Sequence, residues 1–108
     1  MVKNNPYNET QVEELKLYID NDGDIYKNNS VPVYTNLEKK KNKGTYEEDK
    51  AEVSFKRIAD VGATKYGKEF GNDDGKQIFS VDDRKEVAKR LRKDFEVETE
   101  AQGGKMFN

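Results

Sequence analysis

Three aspartates, Asp20, Asp22 and Asp24, occupy alternate positions in the stretch DNDGDIY. Carboxylates at this spacing could bind a metal ion such as Ca²⁺. An EF-hand loop has oxygen ligands at positions 1, 3 and 5, a glycine at position 6 and a bidentate glutamate at position 12. Counted from Asp20, positions 6 and 12 are Ile25 and Val31, so the sharp turn and the closing ligand are both missing. We therefore interpret the stretch as a helical segment whose aspartates face solvent or pair with lysines. A Ca²⁺ or Mg²⁺ site stays a weaker alternative.

The composition removes most of the familiar catalytic chemistry. The chain has no cysteine, histidine or tryptophan, which excludes Cys–His catalysis, Ser–His–Asp triads and ordinary zinc sites. The three aspartates cannot all converge, because residues two apart on a helix point about 200° away from each other. We expect a protein that is not an enzyme and that carries no metal or other cofactor.

Two short segments concentrate the basic residues. KKKNK supplies four lysines, and the run from Arg84 to Lys93 holds six bases and one acid. On a helix, Lys85, Lys89 and Arg92 recur at spacings of 4 and 3, which places them on one face. Such a face beside KKKNK could bind phosphate groups, so nucleic-acid binding is an alternative function. The candidate residues of this basic surface are Lys39, Lys40, Lys41, Lys43, Lys85, Lys89 and Arg92.

The N-terminal part of the chain carries the opposite charge. The run from Glu9 to Tyr26 holds six acids and one base. A balance within the molecule between this run and the basic helix face is the simpler interpretation, and the sequence pI of about 5.3 favours it. The tyrosines are interpreted mainly as half-buried core residues, with a partner-binding surface as the alternative: Tyr18, Tyr26, Tyr34, Tyr46 and Tyr66.

The length and the charge balance indicate one small folded domain. A chain of 108 residues is typical of a single domain with one modest core. Its 20 basic and 22 acidic residues nearly cancel, which argues against disorder driven by net charge. No apolar run approaches the roughly 18 residues that span a bilayer, and the N-terminus has no signal-peptide pattern. We expect a soluble, intracellular protein without a membrane partner.

The first half of the chain predicts one or two helices. Asn8 is a plausible N-cap, and Val12, Leu15, Ile19 and Tyr26 recur on one face. A second helix could begin at Ser30, with Pro32 in its first turn, and end at Gly44. The alternative is one long helix from Thr10 through Lys43. The sequence does not decide between a break near Gly23 and a kink at Pro32.

The second half predicts two further helices. Thr45 and Glu48 have the spacing of a capping box, and Gly71 ends the helix that follows. The apolar stripe of that helix is Ala51, Phe55, Ile58, Gly62, Tyr66 and Phe70, in which Gly62 suggests a close helix–helix approach. Ser80 and Asp83 form a second capping box, and the inward stripe of the last helix is Val87, Leu91 and Phe95.

These elements predict an all-α fold, a small bundle of three to four helices. We assign residues 1–8 to a flexible arm, residues 9–98 to a single helical domain and residues 99–108 to a disordered tail. A homodimer stays open, because long amphipathic helices with few large aliphatic residues could need a second copy to bury their seams.

Four stretches carry a resemblance to a family: LYIDNDGDIY, NLEKKKNKGTYEEDKA, GATKYGKEFG and RKEVAKRLRKDFEVE. Over residues 15–98 the chain resembles small uncharacterised proteins of bacteriophages and mobile elements. The resemblance implies that the acidic stretch is helical and not a metal loop. The composition, highly charged and without cysteine, also suits a small accessory protein, which we expect in the cytoplasm of a bacterial host. The resemblance implies no activity, and no catalytic or binding residue carries over from it.

The expected function is therefore binding without catalysis. We expect an accessory protein that docks on a host or phage protein through a charged helical surface. Asp20, Asp22 and Asp24 are the candidates for the acidic part of that surface. A nucleic-acid-binding accessory or regulatory protein is the first alternative, and a Ca²⁺- or Mg²⁺-binding protein is the weaker one.

Overall fold

The computed structural model describes residues 6–71 and 78–106 of the chain, with side chains as far as Glu100. Within these ranges the chain has no strand, and the predicted all-α bundle is confirmed. The helical elements are α1 (Glu9–Asn21), α2 (Gly23–Ile25), a π-helical segment (Tyr26–Ser30), α3 (Val31–Lys43), α4 (Glu48–Phe70) and α5 (Val81–Met106).

Three phenylalanines form the centre of the core, where α4 and α5 pack together and α1 and α3 close over them. Phe55, Phe79 and Phe95 are each at most 1% exposed, and the rings of Phe55 and Phe95 lie 5.9 Å apart. Tyr34 of α3 meets both of these rings edge-on, at 6.0 and 5.0 Å. The predicted inward stripes of α1 and α5 are confirmed: Val12, Leu15, Ile19, Val87, Leu91 and Phe95.

One carboxylate ties the beginnings of α1 and α5 together. Asp83 accepts a hydrogen bond from the Ser80 N–H at 3.0 Å, and its own N–H donates to Ser80 Oγ at 3.0 Å, which confirms the predicted capping box. The same carboxylate accepts from the Asn8 N–H at 2.7 Å. Asn8 in turn caps α1 by accepting from the Gln11 N–H at 3.2 Å, as predicted. Both helix starts are therefore fixed relative to each other.

Asp22 separates α1 from α2, so the helix is interrupted directly before Gly23. Its backbone is extended (φ −94°, ψ 112°), and its side chain accepts from the Ile25 N–H at 2.9 Å, which caps the new helix. The break turns Ile25 into the core at 2% exposure and leaves Tyr26 62% exposed. The prediction that Tyr26 shares the buried face of α1 is wrong, because that face ends where the helix ends.

The helix continues without interruption from Gly23 to Lys43. α3 begins at Val31, directly after Ser30 and with Pro32 in its first turn as predicted, but Ser30 has helical backbone angles and makes no capping hydrogen bond. Instead, the Val31 N–H donates to the Tyr26 carbonyl across a π-helical turn, directly before Pro32. Such a widened turn leaves room for a proline ring, which lacks an N–H and would clash in a regular helix interior.

The connection between α3 and α4 is a helix-ending motif. Gly44 adopts a left-handed conformation (φ 74°) and donates to the Lys41 carbonyl at 3.1 Å. The Thr45 N–H donates to the Lys40 carbonyl at 2.8 Å, which completes the two bonds of a Schellman motif. The Thr45 N–H is thus used to end α3. The N-cap residue of α4 is Glu47, whose side chain makes no capping hydrogen bond. The predicted capping box of Thr45 with Glu48 is wrong for that reason.

The two ends of the described chain differ from the predicted arm and tail. Tyr7 packs against the core with Arg90 above its ring at 5.8 Å, so the last residues of the predicted arm are held. At the other end, α5 continues to Met106, through residues that the sequence assigns to the tail. Residues 1–5, 72–77 and 107–108 of the predicted arm, loop and tail lie outside the described residues.

Gly62 lies where α4 packs closely on α1, as the sequence suggests. A Cβ atom at this position would lie 2.5 Å from Ile19 Cγ1 and 2.8 Å from Ile19 Cδ1. Ile19 is itself only 2% exposed, so the added atom would have to displace a buried side chain. The predicted stripe of α4 is buried as far as Gly62, Tyr66 is half-buried, and Phe70 at its end is 63% exposed.

We predict that Gly62→Ala destabilises the fold by about 1–3 kcal/mol, because an added methyl group overpacks this crossing. Urea unfolding followed by circular dichroism measures the change. Gly23→Ala is the matched control, since nothing lies within 4 Å of its added Cβ, and we expect it to change the stability little. Equal stability of Gly62→Ala and the wild type would show that the two helices are not in close contact.

Candidate functional site

A groove runs between the end of α1, the π-helical segment, α3 and the C-terminal half of α5. It has a volume of about 540 Å³. Its floor is apolar and buried, and consists of Ile19, Phe55, Ile58 and Leu91. Its polar lining includes four carboxylates, Asp20, Glu38, Asp94 and Glu98, together with the tyrosines Tyr26 and Tyr34. We call this feature the acidic groove.

The π-helical segment shapes one wall of the acidic groove. It places Tyr26 and Ser30 in the lining, followed by Val31 at the start of α3. Tyr26 is 62% and Val31 39% exposed, so the wall offers apolar contact area that the core does not use. Single π turns inside helices are frequently found at functional sites.

The pKa of Tyr34 reflects the negative charge around the groove. Burial first, and then the charges of Glu98, Asp94 and Asp20, raise the pKa of Tyr34 to about 12. The hydroxyl group is protonated at neutral pH, as in any tyrosine, and can donate a hydrogen bond to a ligand in the groove. The shift also means that carboxylates from α1 and α5 act on the same point in the groove.

Among the described residues, Lys16 pairs with two of these carboxylates. Lys16 Nζ lies 2.9 Å from Asp20 Oδ2 and 2.8 Å from Asp94 Oδ2, bridging α1 and α5 beside the groove. Glu38 and Glu98 have no hydrogen-bond or ion-pair partner within the described residues. The groove therefore combines an apolar floor with an excess of negative charge, which suits a ligand that is apolar and cationic at once.

The three aspartates of DNDGDIY do not form one acidic surface. Asp20 lines the groove, whereas Asp22 forms the α2 cap and an ion pair with Lys65 at 2.8 Å. The hydrogen bond from Lys65 holds the pKa of Asp22 below its usual value. Asp24 has an 84% exposed side chain that lies 3.4 Å from Lys65 Nζ. In the described part of the chain, no three His, Cys, Asp or Glu residues are grouped so that they could hold a metal ion.

Arg92 does not belong to an exposed basic surface, contrary to the sequence prediction. It is 8% exposed, and its Nε lies 2.8 Å from Glu52 Oε1. Its Nη1 lies 2.9 Å from Glu96 Oε2, which also accepts a hydrogen bond from the Tyr46 hydroxyl at 2.6 Å. The Arg92 guanidinium group on α5 therefore links this helix to Glu52 of α4 by a largely buried ion pair.

The remaining basic candidates fall into three sets. Lys41 is folded inward, with Nζ donating to Thr99 Oγ1 at 2.9 Å and lying 5.3 Å from the centre of the Tyr46 ring. Lys85 and Lys89 are exposed on α5, and Lys89 lies about 15 Å before Thr99 along the helix, at about 1.5 Å per residue. Lys39 and Lys43 are exposed on α3 and Lys40 is half-buried. The predicted basic face of the last helix therefore lacks Arg92, and its two exposed lysines are separate from those of KKKNK.

Comparison of the chain with protein-family models, with curated proteins and with solved structures finds no match. In the part of the chain that the structure describes, no helix combines the length and the apolar character needed to cross a membrane. The geometry of the acidic groove is accordingly the basis for a functional proposal.

Sequence reasoning missed most of the groove. Glu38 was not singled out, and neither were Asp94 and Glu98, although Asp94 and Glu98 are four residues apart and share one helix face. Tyr34 and Glu38 have the same spacing on α3. The four-residue spacing identifies one face on α3 and one on α5. The two faces come together only because the helix is interrupted at Asp22 and α3 then takes its path across the bundle.

We predict that Arg92→Met lowers the free energy of unfolding by about 2–4 kcal/mol, because it leaves partly buried glutamates without their cation. Lys89→Met on the same helix is the control, and we expect a change within about 0.5 kcal/mol. Urea unfolding of both variants measures the difference. Equal, small effects of the two substitutions would mean that Arg92 is a surface residue, available to a ligand.

Proposed function

We propose that the protein is a non-enzymatic accessory protein of bacteriophage or mobile-element type that binds a partner protein in the cytoplasm of a bacterial host. The charged helical surface that docks the partner is the acidic groove. The observation that carries the proposal is the combination of an apolar floor with a carboxylate rim in a groove of about 540 Å³.

The shape and the charge of the groove favour a basic amphipathic segment of the partner. Apolar side chains of such a segment would cover the floor around Ile58 and Leu91, and lysine or arginine residues would meet Asp94 and Glu98. Amphipathic helices bind grooves between helices in this manner. Charge complementarity would also accelerate the encounter and discriminate against acidic partners.

A protein partner fits these observations better than a nucleic acid does. Phosphate groups would be repelled by the four carboxylates that line the groove, two of which pair with Lys16 beside it. On the basic side, Arg92 and Lys41 are engaged within the fold. The exposed lysines that remain are in separate groups, so each would contact only a short length of nucleic acid.

The test compares two doubly substituted proteins that lose the same charge. Asp94→Asn with Glu98→Gln removes two of the four carboxylates of the groove, while Glu13→Gln with Asp24→Asn removes two exposed carboxylates outside it. Wild type and both variants are used to capture proteins from a lysate of bacterial host cells. Proteins retained by the wild type and the control variant, but not by the groove variant, are identified by mass spectrometry and purified.

We expect the purified partner to bind the groove variant at least about ten-fold more weakly than the wild type, a loss of about 1.4 kcal/mol. The control variant should bind within about two-fold of the wild type, and the partner should present a basic amphipathic segment. Equal affinity of the groove variant in calorimetry would contradict the proposal. Capture of nucleic acid with a steep dependence on salt would favour the alternative function instead.

A further inference from the structure

A second exposed surface lies on the flank of α1 that faces α4, away from the acidic groove. Leu17, Tyr18, Tyr66 and Phe70 form it together with the carboxylates of Glu14 and Glu69, around a depression of about 360 Å³. We call it the aromatic patch. Leu17 is 61% and Phe70 63% exposed, so neither side chain is part of the buried core.

The three aromatic rings of the patch form one continuous surface. The ring of Tyr66 lies 5.2 Å from that of Tyr18 and 4.8 Å from that of Phe70, and Tyr18 and Phe70 are 6.1 Å apart. These separations are those of aromatic rings in direct contact. Because Phe70 is largely exposed, part of this aromatic surface is open to a ligand.

Each tyrosine of the patch holds a carboxylate at its edge. The Tyr18 hydroxyl donates to Glu69 Oε1 at 2.6 Å, and the Tyr66 hydroxyl donates to Glu14 Oε2 at 3.1 Å. Within the described residues, the second oxygen of each carboxylate has no hydrogen-bond partner. The patch therefore offers aromatic rings and two oriented carboxylates within one small depression.

We propose that the aromatic patch binds an arginine side chain of a partner protein. The guanidinium plane would stack on the aromatic surface at Phe70 and donate hydrogen bonds to Glu69 and Glu14. Arginine fits better than lysine because its planar, weakly hydrated cation stacks on rings and forks onto carboxylates. The proposal goes beyond the proposed function, since this contact needs neither the acidic groove nor its ligand.

The same observations argue against a second copy of the chain as the occupant. Two patches facing each other would bring together Glu14 and Glu69 of one copy with the same residues of the other. Like charges placed opposite each other across an interface are unfavourable. Charge complementarity thus favours a cationic ligand over self-association.

The experiment titrates the isotope-labelled full-length protein with the peptide acetyl-Gly-Arg-Gly-amide and follows backbone amide shifts by NMR. We expect saturable shifts at Leu17, Tyr18, Tyr66 and Phe70, with a dissociation constant on the order of millimolar. A peptide with citrulline in place of arginine keeps the shape without the charge, and we expect it to bind far more weakly.

Two substitutions locate the site. Phe70→Ala should weaken binding of the arginine peptide about five-fold. Val97→Ala, at a side chain that is 66% exposed on α5, should leave it unchanged. The groove variant with Asp94→Asn and Glu98→Gln should still bind the peptide, which separates failure of this inference from failure of the proposed function.

Three results would overturn the inference. One is binding of the citrulline peptide as tightly as the arginine peptide. Another is unchanged affinity in Phe70→Ala. The third is a concentration-dependent dimer in sedimentation experiments that Phe70→Ala abolishes, because the patch would then be covered by a second copy.

Discussion

The carboxylate of Asp22 is the contact on which the arrangement of the helices depends. It caps α2 by accepting from the Ile25 N–H and is held from α4 by Lys65 at 2.8 Å. A regular helix through this position would carry the chain onward along α1. The break instead directs the chain so that Tyr34 packs on Phe55 and Phe95, which forms the third wall of the bundle. The acidic groove exists because α3 follows this path.

Charge is the second organising principle of the molecule. The chain has 20 basic and 22 acidic residues, and several of the arginines are used within the fold. Arg92 joins α4 to α5, Arg84 pairs with Asp60 at 2.7 Å, and Arg90 forms a two-pronged ion pair with Glu9. With these arginines engaged, the carboxylates around the groove and the aromatic patch keep their negative character. This distribution is the reason why a cationic partner fits both surfaces.

The fold was largely predictable from local patterns, whereas the candidate site was not. The caps at Asn8 and Ser80 and the buried stripes could be predicted from the sequence, because caps and helical periodicity depend on residues that are close in sequence. The sequence did not decide between Gly23 and Pro32 as the irregular point, since an aspartate can cap a helix or sit within one. It also placed Arg92 on a lysine face, because helical spacing does not reveal which neighbouring helix brings Glu52 into contact. Long-range pairings of this kind depend on packing.

The central claim is that the acidic groove is the surface that receives the partner. Hydrogen–deuterium exchange of the protein, with and without its purified partner, tests this directly. The account predicts added protection in the peptides that cover Tyr26 to Glu38 and Asp94 to Glu98, which form the walls of the groove. Protection confined to the peptides that contain Lys39 to Lys43 or Lys85 to Lys89 would contradict it.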